Sequence, residues 1–289
     1  MQNVIVTGAS GQLGWELQRC VPNGTRCLAL ARDKLDIADP EQVVDLIQRE
    51  RPTLLINAAA YTAVDQAESE PEAAQLINGE GPAHLARACA SHGVHLIHVS
   101  TDFVFDGEAS RPYLPTDDPA PVGEYGRSKL AGERAVQSIL PGALVVRTGW
   151  VYSAWGGNFV KTMLRLMGER DELNVVSDQV GTPTWASGLA EFLWRAAASS
   201  GKRGIYHWSD AGVCSWYDFA VAIAEEALSL GLLQRMPDIR PIPGSEYPTP
   251  AKRPSFSVLD KQSSWKDFDT RGVHWRVQLR AMLQDLKEL

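Results

Sequence analysis

The 289-residue sequence predicts an α/β fold, with a doubly wound parallel sheet covered by helices on both faces. Short apolar segments alternate with longer amphipathic ones through the first 150 residues, which is typical of consecutive β-α-β units. A glycine-rich turn follows the first apolar segment. Beyond residue 150 the alternation loosens, so we expect a smaller, mostly C-terminal region after the sheet.

The predicted elements follow one another regularly. Residues 3–7 form an apolar run that ends in a glycine turn, which predicts a buried strand, and residues 12–20 predict the helix after it. The same reasoning predicts further strands at 26–31, 53–57, 94–100 and 144–147, and helices at 41–50, 72–92 and 124–138. The helix at 72–92 contains Gly79 and Gly81, where we expect an interruption.

The second half of the chain predicts helices at 158–167, 185–199 and 215–230 and a strand at 204–208. Residues 237–254 hold six prolines, which predict mostly extended or loop backbone. Several aromatic residues and a closing helix follow this stretch, so we expect it to be ordered against the fold.

Composition and charge exclude several classes of protein. The hydrophobic fraction of 44% and the charged fraction of 22% are ordinary for a globular protein. The net charge of −7 argues against a nucleic-acid partner, and the apolar runs are far shorter than a bilayer span. The N-terminus lacks a secretion pattern, and the four cysteines lack metal-ligand spacing. We therefore expect a cytoplasmic protein with reduced thiols and no membrane partner.

Gly8, Gly11 and Gly14 stand in a Gly-x-x-Gly-x-x-Gly pattern between the first predicted strand and helix. Glycine lets the backbone approach a ligand closely, and a helix N-terminus offers free N–H groups and a positive dipole end to a pyrophosphate. The turn therefore predicts a Rossmann-type dinucleotide site. A tight turn that binds no ligand is the alternative.

The end of the second predicted strand bears on the choice of cofactor. An acid at this place usually binds the ribose 2′-OH of NADH, but here Ala31 stands there with Arg32 beside it. An arginine can hold a 2′-phosphate, so the sequence favours NADPH, with NADH as the second donor. A solvated surface arginine is the competing explanation.

Tyr125 and Lys129 are four residues apart on a predicted helix, so their side chains share a face. A nearby lysine favours phenolate, and we expect it to lower the tyrosine pKa from its usual value of about 10. Such a tyrosine can donate its proton to a carbonyl oxygen as hydride reaches the carbon. Ser100 and Thr101 end the fourth strand, where a hydroxyl can bond the same oxygen, and we favour Thr101.

Several segments resemble the dTDP-4-dehydrorhamnose reductase family of the extended short-chain dehydrogenase/reductase superfamily. The most specific are Asn-Ala-Ala-Ala-Tyr-Thr-Ala-Val-Asp at 57–65, Ser-Thr-Asp-Phe-Val-Phe-Asp-Gly at 100–107 and Pro-Thr-Pro-Ala-Lys-Arg-Pro at 248–254. The resemblance covers nearly the whole chain. The three glycines and the Tyr-x-x-x-Lys spacing are shared by the whole superfamily.

The resemblance implies NADPH-dependent reduction of the 4-keto group of dTDP-4-dehydro-L-rhamnose to dTDP-L-rhamnose, a precursor of cell-surface polysaccharide. It implies a dinucleotide-binding domain at 1–150, to which 180–210 returns, and a substrate-binding region at 151–179 and 211–289. The implied catalytic residues are Thr101, Tyr125 and Lys129. The implied cofactor contacts, with Arg32 added from the strand-end argument, are Gly8, Ser10, Gly11, Gln12, Leu13, Arg32, Asp36, Ile37, Ala58, Ala59, Ala60, Tyr61, Thr62, Tyr125 and Lys129. The implied substrate contacts are Thr101, Asp102, Trp150, Asn158, Lys161 and Arg253.

Two other functions stay open. One is a related reductase of another dTDP-linked 4-keto-6-deoxyhexose, and the other is a non-catalytic regulator similar to the β subunit of methionine adenosyltransferase. Some members of the family dimerise around magnesium held by acidic side chains, for which Glu16 and Glu191 stand at suitable places. Two solvated glutamates are the preferred interpretation, so we assign no metal ligand and expect a monomer or a homodimer.

Overall fold

The computed structural model describes residues 2–199 and 201–289 and is built around a parallel sheet. Its strands are β1 (Gln2–Thr7), β2 (Thr25–Leu30), β3 (Leu54–Asn57), β4 (His95–Thr101), β5 (Leu144–Thr148), β6 (Val151–Tyr152), β7 (Glu172–Val176), β8 (Val180–Gly181), β9 (Thr184–Trp185), β10 (Gly204–His207), β11 (Cys214–Ser215) and β12 (Asp238–Ile242). Six of them form the central sheet in the order β10-β5-β4-β3-β1-β2, and every neighbouring pair is parallel. The predicted doubly wound fold is confirmed.

Helices pack on both faces of this sheet, and further helices lie in the later part of the chain. They are α1 (Gln12–Arg19), α2 (Pro40–Glu50), α3 (Val64–Ala67), α4 (Pro71–Gln75), α5 (Gly81–His92), α6 (Glu124–Ile139), α7 (Phe159–Glu169), α8 (Ala186–Ala198), α9 (Trp216–Ser229), α10 (Gln262–Asp267) and α11 (Trp275–Glu288). A π-helical turn over Leu76–Glu80 joins α4 to α5, at the place where the sequence predicts an interruption.

Successive side chains of β1 point to opposite faces of the sheet, and each face packs against its own layer of helices. Val4 and Val6 pack with Leu17 of α1 and Leu189 of α8 on one face of the sheet. Ile5 points to the other face and packs with residues of α2 and α5. Both faces are buried, so the central residues of the strand, Val4, Ile5 and Val6, are all apolar, as is usual in parallel strands.

The later part of the chain divides between the sheet and a separate core. β10 pairs with β5, and Trp194 of α8 donates from Nε1 to the Leu17 carbonyl at 3.0 Å. Helices α7, α9 and α11 instead share a core that includes Phe219, Ile223 and Leu279. The exact domain bounds stay a prediction, and they span Met1 and Ser200, which lie outside the described residues. No helix of the described ranges is long and apolar enough to cross a membrane.

Candidate active site

A cleft of about 680 Å³ opens beyond the carboxyl ends of β1, β3, β4 and β5. This edge is where a doubly wound sheet places its ligands, since the strand order reverses beside β1. The predicted site residues that line the cleft are Gly8, Ser10, Gly11, Gln12, Leu13, Arg32, Asp36, Ile37, Ala58, Ala59, Ala60, Tyr61, Thr62, Thr101, Asp102, Tyr125, Lys129, Trp150 and Asn158. Lys161 and Arg253 are not among the lining residues.

The glycine turn between β1 and α1 is tightly packed and open to the cleft. Gly8 has a φ of 72°, and a Cβ there would come within 2.7 Å of the Ala58 backbone. A Cβ on Gly14 would lie 2.1 Å from the Gly8 carbonyl oxygen. Gly11 directly precedes α1 as its N-cap residue, and no side chain of the described residues caps the helix there. The first N–H groups of α1 are therefore available to an anion.

A buried polar network holds the loop that follows β3. Thr7 Oγ1 donates to Asn57 Oδ1 at 2.6 Å, and the same oxygen accepts the Ala59 N–H at 3.2 Å. The Asn57 amide must then donate to His98 Nδ1, 2.9 Å away. Burial, together with the nearby charge of Lys129, lowers the pKa of His98 well below its usual 6.5. The neutral imidazole thus acts as a fixed acceptor behind the cleft.

Asn78 in the π-helical turn connects this loop to the helix that carries Tyr125. Its Oδ1 accepts the Tyr61 N–H at 2.8 Å, and its Nδ2 donates to the Tyr61 carbonyl at 3.0 Å. The same Nδ2 donates to Ser128 Oγ at 3.1 Å, and Ser128 donates to the Tyr125 carbonyl at 2.9 Å. The sequence analysis missed Asn78, although the glycine beside it indicated the irregular turn.

Arg32 extends from the end of β2 into solvent at the rim of the cleft. Its side chain is 76% exposed, and its Nη2 lies 3.7 Å from Asp36 Oδ2. A pair this exposed contributes little stability. The guanidinium can therefore turn toward a ligand at small energetic cost.

Thr101 and Asp102 are buried where β4 ends. Thr101 Oγ1 accepts the Phe103 N–H at 3.2 Å and donates to Asp102 Oδ1 at 3.1 Å. Burial raises the pKa of Asp102 to about 6, although hydrogen bonds from Ser257 and Thr101 oppose the rise. Ser100 Oγ is buried in the cleft wall with no hydrogen-bond partner among the described residues.

The pKa of Tyr125 differs from the lowered value that the sequence led us to expect. Burial raises its pKa to about 12, the nearby charge of Asp102 adds to the rise, and a hydrogen bond with Thr101 only partly opposes it. The expected lowering of the tyrosine pKa is wrong, because burial of the phenol has the larger effect. Lys129 Nζ donates to the Val99 carbonyl at 2.8 Å, and burial lowers the lysine pKa to about 8. The phenol therefore keeps its proton at neutral pH, which is the form that a general acid needs.

A buried ion pair lies one helical turn beyond Lys129. Glu133 accepts from Arg147 Nε at 2.9 Å and from Arg147 Nη2 at 2.7 Å. The negative charge of Glu133 raises the pKa of Lys129 and so opposes part of the effect of burial. The sequence analysis did not single out Glu133, although it continues the four-residue spacing of Tyr125 and Lys129.

Trp150 forms part of the cleft wall after β5. Its φ of 52° lies in the left-handed region, which costs a residue other than glycine about 1–3 kcal/mol. The indole stacks on Trp216 of α9, with centroids 3.4 Å apart. The sequence analysis missed Trp216, which no motif indicated.

The remaining predicted substrate contacts differ in position. Asn158 lines the cleft and donates from Nδ2 to Gln12 Oε1 at 2.9 Å. Lys161 Nζ donates to the Ala154 carbonyl at 3.2 Å, and Arg253 pairs with both carboxylate oxygens of Asp65 at 3.1 and 3.0 Å. Both cations are held by protein oxygens outside the cleft, so their substrate roles stay predictions.

The family model described as "RmlD substrate binding domain" matches residues 1–288. A dTDP-4-dehydrorhamnose reductase of Burkholderia thailandensis is 42% identical, and the alignment covers 98% of each chain. The enzyme of the same name from Escherichia coli K12 is 41% identical over 98% of each chain. The chain belongs to the dTDP-4-dehydrorhamnose reductase family. The resemblance stated from the sequence motifs is confirmed.

A solved member of the dTDP-4-dehydrorhamnose reductase family shares the whole fold. The crystal structure of the Bacillus anthracis enzyme in complex with NADP superimposes with a TM-score of 0.92 at 35% identity. The match covers 99% of this chain and 100% of that one. The correspondence therefore includes both the sheet and the C-terminal core.

The magnesium site that some members of the family carry finds no support here. Within residues 2–199 and 201–289, no three His, Cys, Asp or Glu side chains lie close enough together to hold a metal ion. Glu191 is exposed, as expected, but Glu16 is buried and accepts from Ser153 Oγ at 2.7 Å. The expectation that both glutamates are solvated is wrong for Glu16.

Proposed function

We propose that this chain reduces the 4-keto group of dTDP-4-dehydro-L-rhamnose to dTDP-L-rhamnose, with NADPH as the hydride donor, in the cytoplasm. The observation that carries the proposal is the gathering of Thr101, Tyr125 and Lys129 in one cleft with the glycine turn. Relatives of this name that are about 40% identical over nearly their whole length support the choice of substrate.

The glycine turn fits a dinucleotide. The close approach at Gly8 and Gly14 leaves no room for a Cβ, and the uncapped start of α1 presents N–H groups to a pyrophosphate. A bound nicotinamide cofactor supplies the hydride. The protein has to orient the substrate carbonyl toward it and protonate the resulting alkoxide.

Three side chains of the cleft orient and protonate the substrate oxygen. Tyr125 donates its phenolic proton to the substrate oxygen, and the Thr101 hydroxyl orients that oxygen. The Lys129 ammonium stabilises the phenolate and would bond the nicotinamide ribose of a bound cofactor. Because burial raises the pKa of Tyr125 to about 12, the proton is present on the phenol throughout the neutral range.

The direct test mixes the purified protein with NADPH and dTDP-4-dehydro-L-rhamnose and follows the loss of NADPH absorbance. We expect Tyr125→Phe to lower kcat by about 10²–10⁴ while the Kd for NADPH is unchanged. Tyr206→Phe is the matched control, since its hydroxyl bonds Asp267 at 2.7 Å outside the cleft. Near-normal turnover of Tyr125→Phe would refute the catalytic assignment. NADPH binding without turnover, together with tight binding to a partner enzyme, would favour the regulator.

Arg32 supports the choice of NADPH, as does NADP in the Bacillus anthracis relative. We expect Arg32→Ala to lower kcat/KM for NADPH by about 10- to 150-fold, since hydrogen bonds to charged groups are worth about 1.5–3 kcal/mol. The value for NADH should be unchanged. Arg26→Ala is the control, because this exposed arginine lies near the start of β2, the strand that precedes Arg32, and pairs with Glu50. A wild-type preference for NADH would contradict the choice.

A further inference from the structure

Two stacked tryptophans support one wall of the cleft. Trp150 lines the cleft, whereas Trp216 lies behind it and outside the lining residues. Their planes differ by only 1°, and their centroids are 3.4 Å apart, so the two rings overlap fully. The orientation of Trp150 toward the cleft thus depends on a residue of α9 that does not itself line the cleft.

The backbone conformation of Trp150 indicates that the surrounding residues impose the orientation of its indole. Its φ of 52° is unusual for a large side chain. Its carbonyl accepts the Thr184 N–H at 3.1 Å. A Cβ on Gly181 would come within 2.5 Å of the indole, so a glycine is required beside the ring. Contacts from three separate segments therefore hold one conformer.

Trp216 is held firmly enough to serve as the support. It is the first residue of α9, directly after a capping box in which Ser215 and Asp218 bond each other's backbone N–H groups at 3.1 and 2.9 Å. The ring of Phe159 packs against it with centroids 4.6 Å apart. The stack therefore links α9 and α7 to the cleft wall.

The position of Trp150 along the chain indicates which part of a ligand it faces. Gly149 precedes it, and a Cβ there would come within 2.4 Å of the Asp102 carboxylate. Asp102 follows Thr101, so the backbone that carries Trp150 passes beside the groups that would meet the reacting carbonyl, and Trp150 lines the same cleft as these groups. A sugar ring at that carbonyl presents C–H groups that can pack on an aromatic surface.

We propose that Trp216 is a positioning residue, which holds the Trp150 indole in the orientation that packs against the hexose ring of a nucleotide-sugar. The inference rests on the proposed function, because it takes the sugar to react between Thr101 and Tyr125. It assigns Trp216 no contact with the cofactor and no part in proton transfer. Its loss should therefore weaken recognition of the sugar and spare both NADPH binding and kcat.

The experiment compares Trp216→Leu, which removes the stack, with Trp216→Phe, which keeps a flat ring. We expect Trp216→Leu to raise KM for the keto-sugar about three- to tenfold, since an aromatic pair is worth about 0.5–1.5 kcal/mol. Its kcat and its Kd for NADPH should stay near wild type, and Trp216→Phe should restore most of KM. Trp208→Leu is the matched control, because Trp208 stacks on Phe192 with centroids 4.2 Å apart outside the cleft.

Two further readouts do not depend on turnover. The overlapped indoles of Trp150 and Trp216 should contribute to the circular dichroism of the ligand-free protein. Both Trp216 variants should lose this contribution, whereas that of the separate Trp15–Trp155 stack should remain. Calorimetry should show that Trp216→Leu weakens binding of dTDP-L-rhamnose but not of dTDP alone.

The inference is overturned if Trp216→Leu keeps the wild-type KM, or if Trp208→Leu raises KM by as much. If the wild type does not turn over the keto-sugar, the proposed function fails. Calorimetry then decides the inference separately, and equal affinity of wild type and Trp216→Leu for dTDP-L-rhamnose would refute it.

Discussion

Replacing Glu133 with glutamine should destabilise the protein far more than replacing a glutamate of an exposed ion pair with glutamine. Both Glu133 and Arg147 are 1% exposed, and the carboxylate accepts two close hydrogen bonds from the guanidinium. Arg147 Nη1 already has no hydrogen-bond partner among the described residues. Glu133→Gln would therefore leave a buried guanidinium without a counter-charge.

The expected loss is about 3–5 kcal/mol, the range for breaking one half of a buried ion pair. This is a large part of the total stability of a folded protein, which is about 5–15 kcal/mol. The comparison is Glu169→Gln, which breaks the Arg165–Glu169 pair with side chains 61% and 54% exposed. That change should cost less than about 1 kcal/mol.

Urea denaturation of both variants and of a Glu133→Leu/Arg147→Met double variant measures these costs. The double variant should be less destabilised than Glu133→Gln, because it leaves no buried charge unpaired. If Glu133→Gln lowers the free energy of unfolding by less than about 1 kcal/mol, Arg147 does not depend on the Glu133 carboxylate as its counter-charge. A double variant less stable than Glu133→Gln would point to packing as the cause.

Three other changes test the cleft. Because burial lowers the pKa of Lys129 to about 8, kcat/KM should fall above that pH as the ammonium is lost; a profile flat to about pH 10 would contradict this. Glu133→Gln should move this alkaline limb to lower pH, since the carboxylate raises the lysine pKa. Gly14→Ala should weaken NADPH binding at least tenfold in a fluorescence titration, because the added Cβ would lie 2.1 Å from a backbone oxygen. Gly142→Ala is the control and should leave NADPH binding unchanged, because the space around Gly142 is open. Asn78→Ala removes three hydrogen bonds worth about 0.5–1.5 kcal/mol each, so KM for NADPH should rise tenfold or more with kcat retained; an unchanged KM would refute the role of Asn78 in holding the Tyr61 loop.

The strands of the central sheet and the longer helices were predictable because a parallel sheet buries both of its faces under helices. β1, β3 and β4 each contain consecutive buried apolar residues, and the sequence places these strands within one or two residues of the observed bounds. The short helices α3 and α10 were not predicted, since four and six residues are too few to show a helical period. The π-helical turn was predicted only as an interruption. Within this turn, the side chain of Asn78 bonds both Tyr61 and Ser128, which lie far from it in the sequence.

The lining of the cleft was largely predictable for a topological reason. Ala58, Thr101 and Trp150 follow the carboxyl ends of three neighbouring parallel strands, which meet at one edge of the sheet. Lys161 and Arg253 lie outside that edge, on a helix and in a loop. Their long side chains turn to the oxygens nearest to them, a backbone carbonyl and a carboxylate. A sequence motif does not indicate which oxygen such a side chain will bond.

Sequence alone therefore settles the fold class, the glycine turn and the residue types at the strand ends, because these depend on local backbone geometry and on short spacings. The tertiary structure alone decides how those groups are charged and held. Tyr125 has a raised pKa where a lowered one was expected, because burial outweighs the influence of Lys129. The stack of Trp150 on Trp216 joins residues 66 positions apart, and the Glu133–Arg147 pair joins a helix to a strand. Such contacts arise only when distant segments pack together, and the low dielectric of the packed interior gives them their effect.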